Sequence, residues 1–133
     1  MGIVYKETTE FHEAELFRLF DSVGWVSARY AARLVKAMRG SSAVISAWDG
    51  GRLVGLVNAL DDGELTAYIH YLLVDPAYQG QGIGRHLACA IRNRYAHCLY
   101  TVLIVEDTKN IPFYEKLGFR VTAGATPMDV THY

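Results

Sequence analysis

The sequence predicts a mixed α/β fold: an antiparallel sheet in the first half, then a parallel strand–helix–strand unit. Three observations carry this. Apolar residues recur at helical spacing before Gly40. Runs of β-branched and small residues separated by Asp/Gly turns fill the middle of the chain. A strand pattern over 65–74, a glycine loop, a helical stripe and a further apolar run follow one another over 65–105. A strand–helix–strand order forces its two strands parallel, with a right-handed crossover.

Each element has a local reason. Ile3-Val4-Tyr5 opens as a short strand. Thr9 is a candidate cap for a first helix with Phe11, Ala14, Phe17 and Phe20 on its apolar stripe. Gly24-Trp25 interrupts it, and Ser27 is a candidate cap for a second helix carrying Ala31, Leu34, Val35 and Met38. Gly40-Ser41-Ser42 stops that helix. Ala43–Trp48 and Arg52–Leu60 read as a hairpin about Asp49-Gly50-Gly51, whose glycines supply positive φ. Asp61-Asp62-Gly63-Glu64 turns into a third strand, Leu65–Val74, ended by Pro76. Leu87, Ala90, Ile91 and Tyr95 mark the next helix, and Leu99–Val105 reads as a strand buried on both faces. A short helix over Ile111–Leu117 with Gly118 at its C-cap leads to a strand over Phe119–Thr122, and a further one is expected near Met128–Val130. The predicted order is β-α-α-β-β-β-α-β-α-β.

A length of 133 residues predicts one domain over 1–133. Hydrophobic residues make up 51% and charged residues 20%, a globular composition. The net charge of -1 offers no basic surface for a nucleic-acid backbone. No uncharged run approaches the ~18–20 residues of a membrane span, and the N-terminal residues lack a secretory pattern. Cys89 and Cys98 have no metal-ligand spacing, and neither do His12, His86, His97 and His132, so no metal is expected. Reduced thiols fit a cytoplasmic protein.

Three of the twelve glycines, Gly80, Gly82 and Gly84, fall within five residues, in Gln79-Gly80-Gln81-Gly82-Ile83-Gly84-Arg85. Glycines there let successive N–H groups converge at a helix N-terminus, where the dipole adds positive potential. That combination suits a phosphate, with Arg85 adding a charge-assisted contact. The loop lacks the Lys-Ser/Thr of a P-loop, and its glycines are spaced GxGxG rather than GxGxxG.

Gln79-Gly80-Gln81-Gly82-Ile83-Gly84 resembles the Q/R-x-x-G-x-G/A motif of the GNAT superfamily of N-acetyltransferases. Val74-Asp75-Pro76 before it and Phe113-Tyr114-Glu115-Lys116-Leu117-Gly118-Phe119 after it are also typical of that family. The resemblance implies acetyl-CoA as co-substrate, its pyrophosphate on the amides of Gln79 through Arg85. It places the pantetheine arm along the backbone of Leu72, Leu73 and Val74, with Asn110 as a further contact. It implies transfer to a primary amine by direct attack in a ternary complex. A small-molecule amine is the first expectation; a protein or peptide acceptor, or a CoA-binding module without turnover, are the alternatives.

The transfer needs an acid for the leaving thiolate and a base for the amine. Tyr114 occupies the position of the family's tyrosine, and its phenol, with a pKa of about 10, can protonate a thiolate. Tyr114 is also counted with the CoA-binding residues. His70 is the candidate base, since imidazole titrates near neutrality. Strand alternation predicts Tyr68, His70, Leu72 and Val74 on one face. Asp61, Asp62 and Glu64, or water, are the competing bases, although Asp-Asp-Gly-Glu is also ordinary turn chemistry. Trp25, Asn58 and Tyr68 are candidate acceptor-binding residues. The Thr126–Val130 edge allows pairing between two copies, so a homodimer is an expectation as well.

Overall fold

The hairpin formed by β2 (Ala43–Asp49) and β3 (Arg52–Asp61) is the centre of the sheet, and nearly every residue of both strands is buried. Gly50 supplies the positive φ of its turn, at 58°. Antiparallel β1 (Val4–Glu7) joins the outer edge of β2, and antiparallel β4 (Thr66–Val74) joins β3. A three-residue β5 (Tyr100–Val102) lies parallel to the start of β4, giving the order β1-β2-β3-β4-β5. This computed structural model describes residues 2–133 and divides into two compact units, Met1–Val102 and Leu103–Tyr133.

In the first unit, α1 (Glu13–Ser22) and α2 (Ala31–Gly40) are joined by a 3₁₀ turn, Val26–Tyr30. Their stripes bury Leu16, Leu19, Phe20, Leu34 and Met38 in one cluster with Val44, Leu53, Leu56 and Leu73 of the sheet. The opposite face takes α3 (Ile83–Arg94), which buries Ile83, Leu87 and Ile91. Gly55 lies beneath α3: a Cβ there would stand 3.2 Å from the Leu73 carbonyl and 3.3 Å from Leu87 Cδ1. The second unit carries a 3₁₀ turn, Thr108–Asn110, running into α4 (Ile111–Glu115).

The helix starts differ from those expected. The Thr8 hydroxyl accepts the Glu10 N–H, while the Glu15 carboxylate reaches back to the His12 N–H at 2.8 Å. The chain therefore becomes helical at Glu13 instead of directly after Thr9. Ser27 does not cap α2; its hydroxyl pairs with the Tyr71 phenol at 2.8 Å from within the 3₁₀ turn.

The end of the predicted order also needs correction. The run at Leu99–Val105 is not a strand buried on both faces. Leu99 is 72% exposed, Tyr100 60% and Val102 47%. β5 pairs on one side only, so it is an edge strand, and its apolar composition does not report two-sided burial. Neither Phe119–Thr122 nor Met128–Val130 forms a strand; both are extended or irregular. A strand persists only where a neighbour takes its ladder hydrogen bonds, and no pairing reaches these residues among those described.

Filling the space under α3 tests this packing. Gly55→Ala is expected to lower stability by about 1–3 kcal/mol, because the backbone carbonyl of Leu73 cannot give way as a side chain end can. A lower urea midpoint with an unchanged m-value is the expected reading.

Candidate functional site

The glycine loop is held at its base by a set of polar contacts. Asp75, 6% exposed, accepts the Ala77 N–H through Oδ1 at 2.9 Å and receives Arg52 Nη2 on Oδ2 at 3.3 Å. Its own N–H donates to the Val54 carbonyl at 2.8 Å, beside an irregularity in the β2–β3 pairing. The Tyr78 phenol donates to Asp49 at 2.6 Å, and that bond pushes the phenol above its ordinary pKa. Gln79 Nε2 returns to the Val74 carbonyl at 3.0 Å, so its side chain ties the loop to the end of β4.

Above this base, Gly80 and Gly82 adopt φ of 80° and 82°. Gly82 is the N-cap of α3 and offers no side-chain cap. The leading N–H groups of a helix have no intrahelical partner, and no acidic side chain sits in the first turn of α3. The space where a Cβ would stand is open at both glycines. A phosphate-bearing ligand suits the start of α3, where the dipole favours an anion and Arg85 is exposed in the first turn; the Gln79 N–H is itself taken by the Pro76 carbonyl at 3.4 Å. Ile83 instead turns its side chain into the core, 2% exposed, and contributes only its backbone to the loop.

β4 carries the second part. Its pairing with β5 covers only Thr66, Ala67 and Tyr68. From Ile69 to Val74, β4 pairs with β3 alone among the described residues. The backbone of Leu72, Leu73 and Val74 therefore has one edge outside the ladder, where an amide-bearing arm can take up its hydrogen bonds.

The expected single face of Tyr68, His70, Leu72 and Val74 is not formed. Val57 pairs with Leu72 and Ala59 with Ile69, so His70 and Tyr71 together oppose Asn58. This β-bulge inserts one residue and inverts the alternation. Tyr68 moves to the face of Tyr71 and Leu73, away from Leu72 and Val74. Tyr68 stacks on His70 at 5.5 Å and His70 on Tyr71 at 3.9 Å, and Trp25 lies tilted against Tyr71 at 5.9 Å. Trp25, 36% exposed, follows Gly24, whose φ of 74° redirects the chain out of α1.

Asn58 is placed beneath this surface, 3% exposed, with its amide engaged by Tyr71 and Ser41. Tyr71 is not among the residues expected from the sequence, because regular alternation sets it on the face opposite His70 and only the bulge brings the two rings together. The turn carboxylates are engaged elsewhere. Asp62 Oδ1 accepts the N–H groups of Glu64, Leu65 and Thr66, which hold its carboxyl below the ordinary range. Asp61 accepts the Tyr95 phenol at 2.6 Å. Burial, with that bond second, pushes the phenol far above its ordinary value.

In the second unit, Asn110 is exposed at the N-cap of α4, with Pro112 at the helix start. Tyr114 lies on α4 between Phe113 and Phe119, edge-on to both at 5.0 and 6.0 Å. Burial pushes its phenol above the ordinary value. Gly118, at φ 93°, ends the segment as expected. Among the described residues, no group of three His, Cys, Asp or Glu gathers as metal ligands, and no helix is long and apolar enough to cross a membrane.

Comparison with known proteins agrees with this geometry. The model of the acetyltransferase (GNAT) family matches residues 5–119. A soybean protein named histone acetyltransferase TAP1 is 30% identical over 129 residues, covering 88% of this chain and 55% of that one. A glucosamine 6-phosphate N-acetyltransferase of Trypanosoma brucei brucei is 38% identical over 79 residues, covering 53% of this chain and 52% of its own. The chain thus spans about half the length of these curated relatives. Among solved structures, the GNAT family protein SP0256 of Streptococcus pneumoniae TIGR4 superposes with a TM-score of 0.84 at 28% identity, covering 98% of both chains. The mixed sheet, the glycine loop before α3 and the family match over residues 5–119 agree: the chain belongs to the GNAT family of acetyltransferases.

Proposed function

We propose that this chain, read as one domain, transfers an acetyl group from acetyl-CoA to a primary amine of a small molecule by direct attack in a ternary complex. The carrying observation is the left-handed Gly82 at the N-terminus of α3, which leaves the leading amides of a twelve-residue helix without a side-chain cap. On this reading the pyrophosphate lies on the amides of Gln79 through Arg85. The pantetheine arm takes the open edge of Leu72, Leu73 and Val74. Asn110 adds a contact from the start of α4.

The amine must reach the thioester carbon with its lone pair free. Its nitrogen forms the C–N bond, the C–S bond breaks, and amide and CoA thiol result. His70 receives the proton that the amine loses, directly or through one water. Tyr114 gives its phenol proton to the leaving sulfur. Its raised pKa keeps the phenol protonated over a wider range of pH. Trp25, Tyr68 and Tyr71 form the aromatic surface beside His70, which suits an amine with an apolar or aromatic body. A protein acceptor is the second reading, favoured by the similarity to the soybean protein named as a histone acetyltransferase. The free thiols Cys89 and Cys98 fit a reducing compartment such as the cytoplasm.

Thiol release from acetyl-CoA, measured across arylalkyl amines, amino sugars and lysine peptides, tests the reading. Release that depends on a small amine supports it. Release only with peptides moves the acceptor to protein, and tight acetyl-CoA binding with no release in any arm overturns the enzymatic reading.

Gly82→Asp should weaken acetyl-CoA binding on the order of tenfold or more relative to Gly82→Asn, as a fixed carboxylate repels the diphosphate. The two side chains share shape and tolerance of positive φ, so equal affinities by calorimetry would remove the loop from the binding site.

Tyr114→Phe is expected to lower kcat by about 10²–10⁴ with little change in acetyl-CoA affinity. A phenol held above its ordinary pKa stays an acid until the pH exceeds about 10, so the alkaline limb should lie above that value and vanish in the variant. Unchanged turnover would exclude the acid role.

His70→Ala should flatten the acidic limb of the kcat/KM profile, because a base acts only when deprotonated. If the limb stays in place, water or an acidic residue is the base.

A further inference from the structure

We propose that Asn58 and Ser41 are positioning residues that hold the β4 bulge in register and thereby aim His70. The inference rests on the reading of His70 and its neighbours as the acceptor face, and it changes the expected role of Asn58 from lining to support.

The bulge creates the need. Where two residues oppose one, the ladder cannot serve both, and the extra N–H must find another acceptor. Here the Tyr71 N–H donates to Asn58 Oδ1 at 2.9 Å. Asn58 is the residue directly across the bulge, so its side chain replaces the missing backbone partner.

The orientation of that amide is set one step further away. Asn58 Nδ2 donates to Ser41 Oγ at 3.1 Å, and Ser41 Oγ donates to the Ala37 carbonyl in the last turn of α2 at 2.8 Å. A serine has one proton. With it directed at Ala37, Ser41 presents only lone pairs to Asn58, which fixes the amide nitrogen on that side and the oxygen toward Tyr71. Asn58 and Ser41 are both buried, 3% and 8% exposed, so water does not readily substitute for either.

Tyr71 is then held from two directions. Its N–H is bound by Asn58, and its phenol pairs with Ser27 Oγ at 2.8 Å in the 3₁₀ turn after α1. His70 stacks on the Tyr71 ring at 3.9 Å and an interplanar angle of 23°. The direction of the imidazole thus depends on a run of contacts that begins at the C-terminal end of α2. Loss of the pin frees β4 to shift by one residue, and a one-residue slip carries a side chain to the other face.

The test reads the bulge without turnover, by nuclear magnetic resonance of the full chain. In Asn58→Leu, of similar size, exchange of the Tyr71 amide hydrogen should accelerate about tenfold, the ratio corresponding to one hydrogen bond's net contribution. The His70 ring protons, displaced upfield by the Tyr71 ring, should move downfield. Asn58→Asp keeps the acceptor for Tyr71 and should restore slow exchange and the upfield resonances. Should Asn58→Leu not fold, Ser41→Ala against Ser41→Thr decides in the same way, with loss in the first and recovery in the second. Unchanged Tyr71 exchange and unchanged His70 resonances in a folded Asn58→Leu or Ser41→Ala chain would overturn the proposal. The failure of the catalytic reading is separate: an acidic limb unmoved in His70→Ala removes the base while leaving the positioning result standing.

Discussion

One surplus residue in β4 sets the arrangement of this protein's candidate acceptor face. A regular β4 would turn Tyr68 away from Tyr71 and set the ring of Tyr71 on the face opposite His70. The bulge opposite Asn58 brings Tyr68, His70 and Tyr71 into one stack instead. It also increases the local twist of β4 just where pairing with β5 ends at Tyr68. The stacked rings follow from that irregularity, whereas the open backbone edge beyond Tyr68 follows from the shortness of β5. The extra N–H of the bulge is bound by a buried side-chain amide, which is tied in turn through Ser41 to the last turn of α2.

Much of the fold was legible from period alone. Leu87 and Ile91 prove to be core, and of the stripe expected on the first helix Phe11 and Phe20 are core while Ala14 and Phe17 are exposed, their places taken by Leu16 and Leu19. The β2–β3 turn was legible because Asp49-Gly50-Gly51 meets a specific dihedral requirement. Starts of helices were less legible, since Thr8, Ser27 and Glu15 each chose among several local acceptors and donors of similar strength. The strands after Leu117 were misread for a different reason. A β-like run records willingness to pair, and pairing is a property of two segments.

The site divides along the same line. Gly80, Gly82 and the start of α3 are short-range features, so the sequence places the positive-φ turn and the helix start to the residue. The face of β4 was read wrongly because a bulge has no mark in a period-two pattern; Asn58 across the strand decides it, thirteen residues away. Asn58, expected at the acceptor surface, is buried and bonded to Tyr71 and Ser41, since an asparagine on a strand looks the same in sequence whether it meets a ligand or a neighbouring backbone. The expected roles of Tyr114 and Asn110 rest on the family motif alone, which carries no geometry.

If the glycine loop holds an anion as proposed, the clustered glycines and the net charge of -1 belong to one electrostatic design. An anion cradle on a near-neutral chain must keep its own carboxylates from opposing the guest. Asp75, five residues before Gly80, is the nearest threat in sequence. Its charge is shared between the Ala77 N–H and the Arg52 guanidinium, and Asp49 is engaged by the Tyr78 phenol. Arg52 remains 46% exposed at its side chain, so the pairing is screened and serves local neutrality more than stability. The helix amides then face the loop with no uncompensated negative charge among these base residues. An anion site of the proposed kind depends on where a few charges are cancelled, and a basic surface is not required for it.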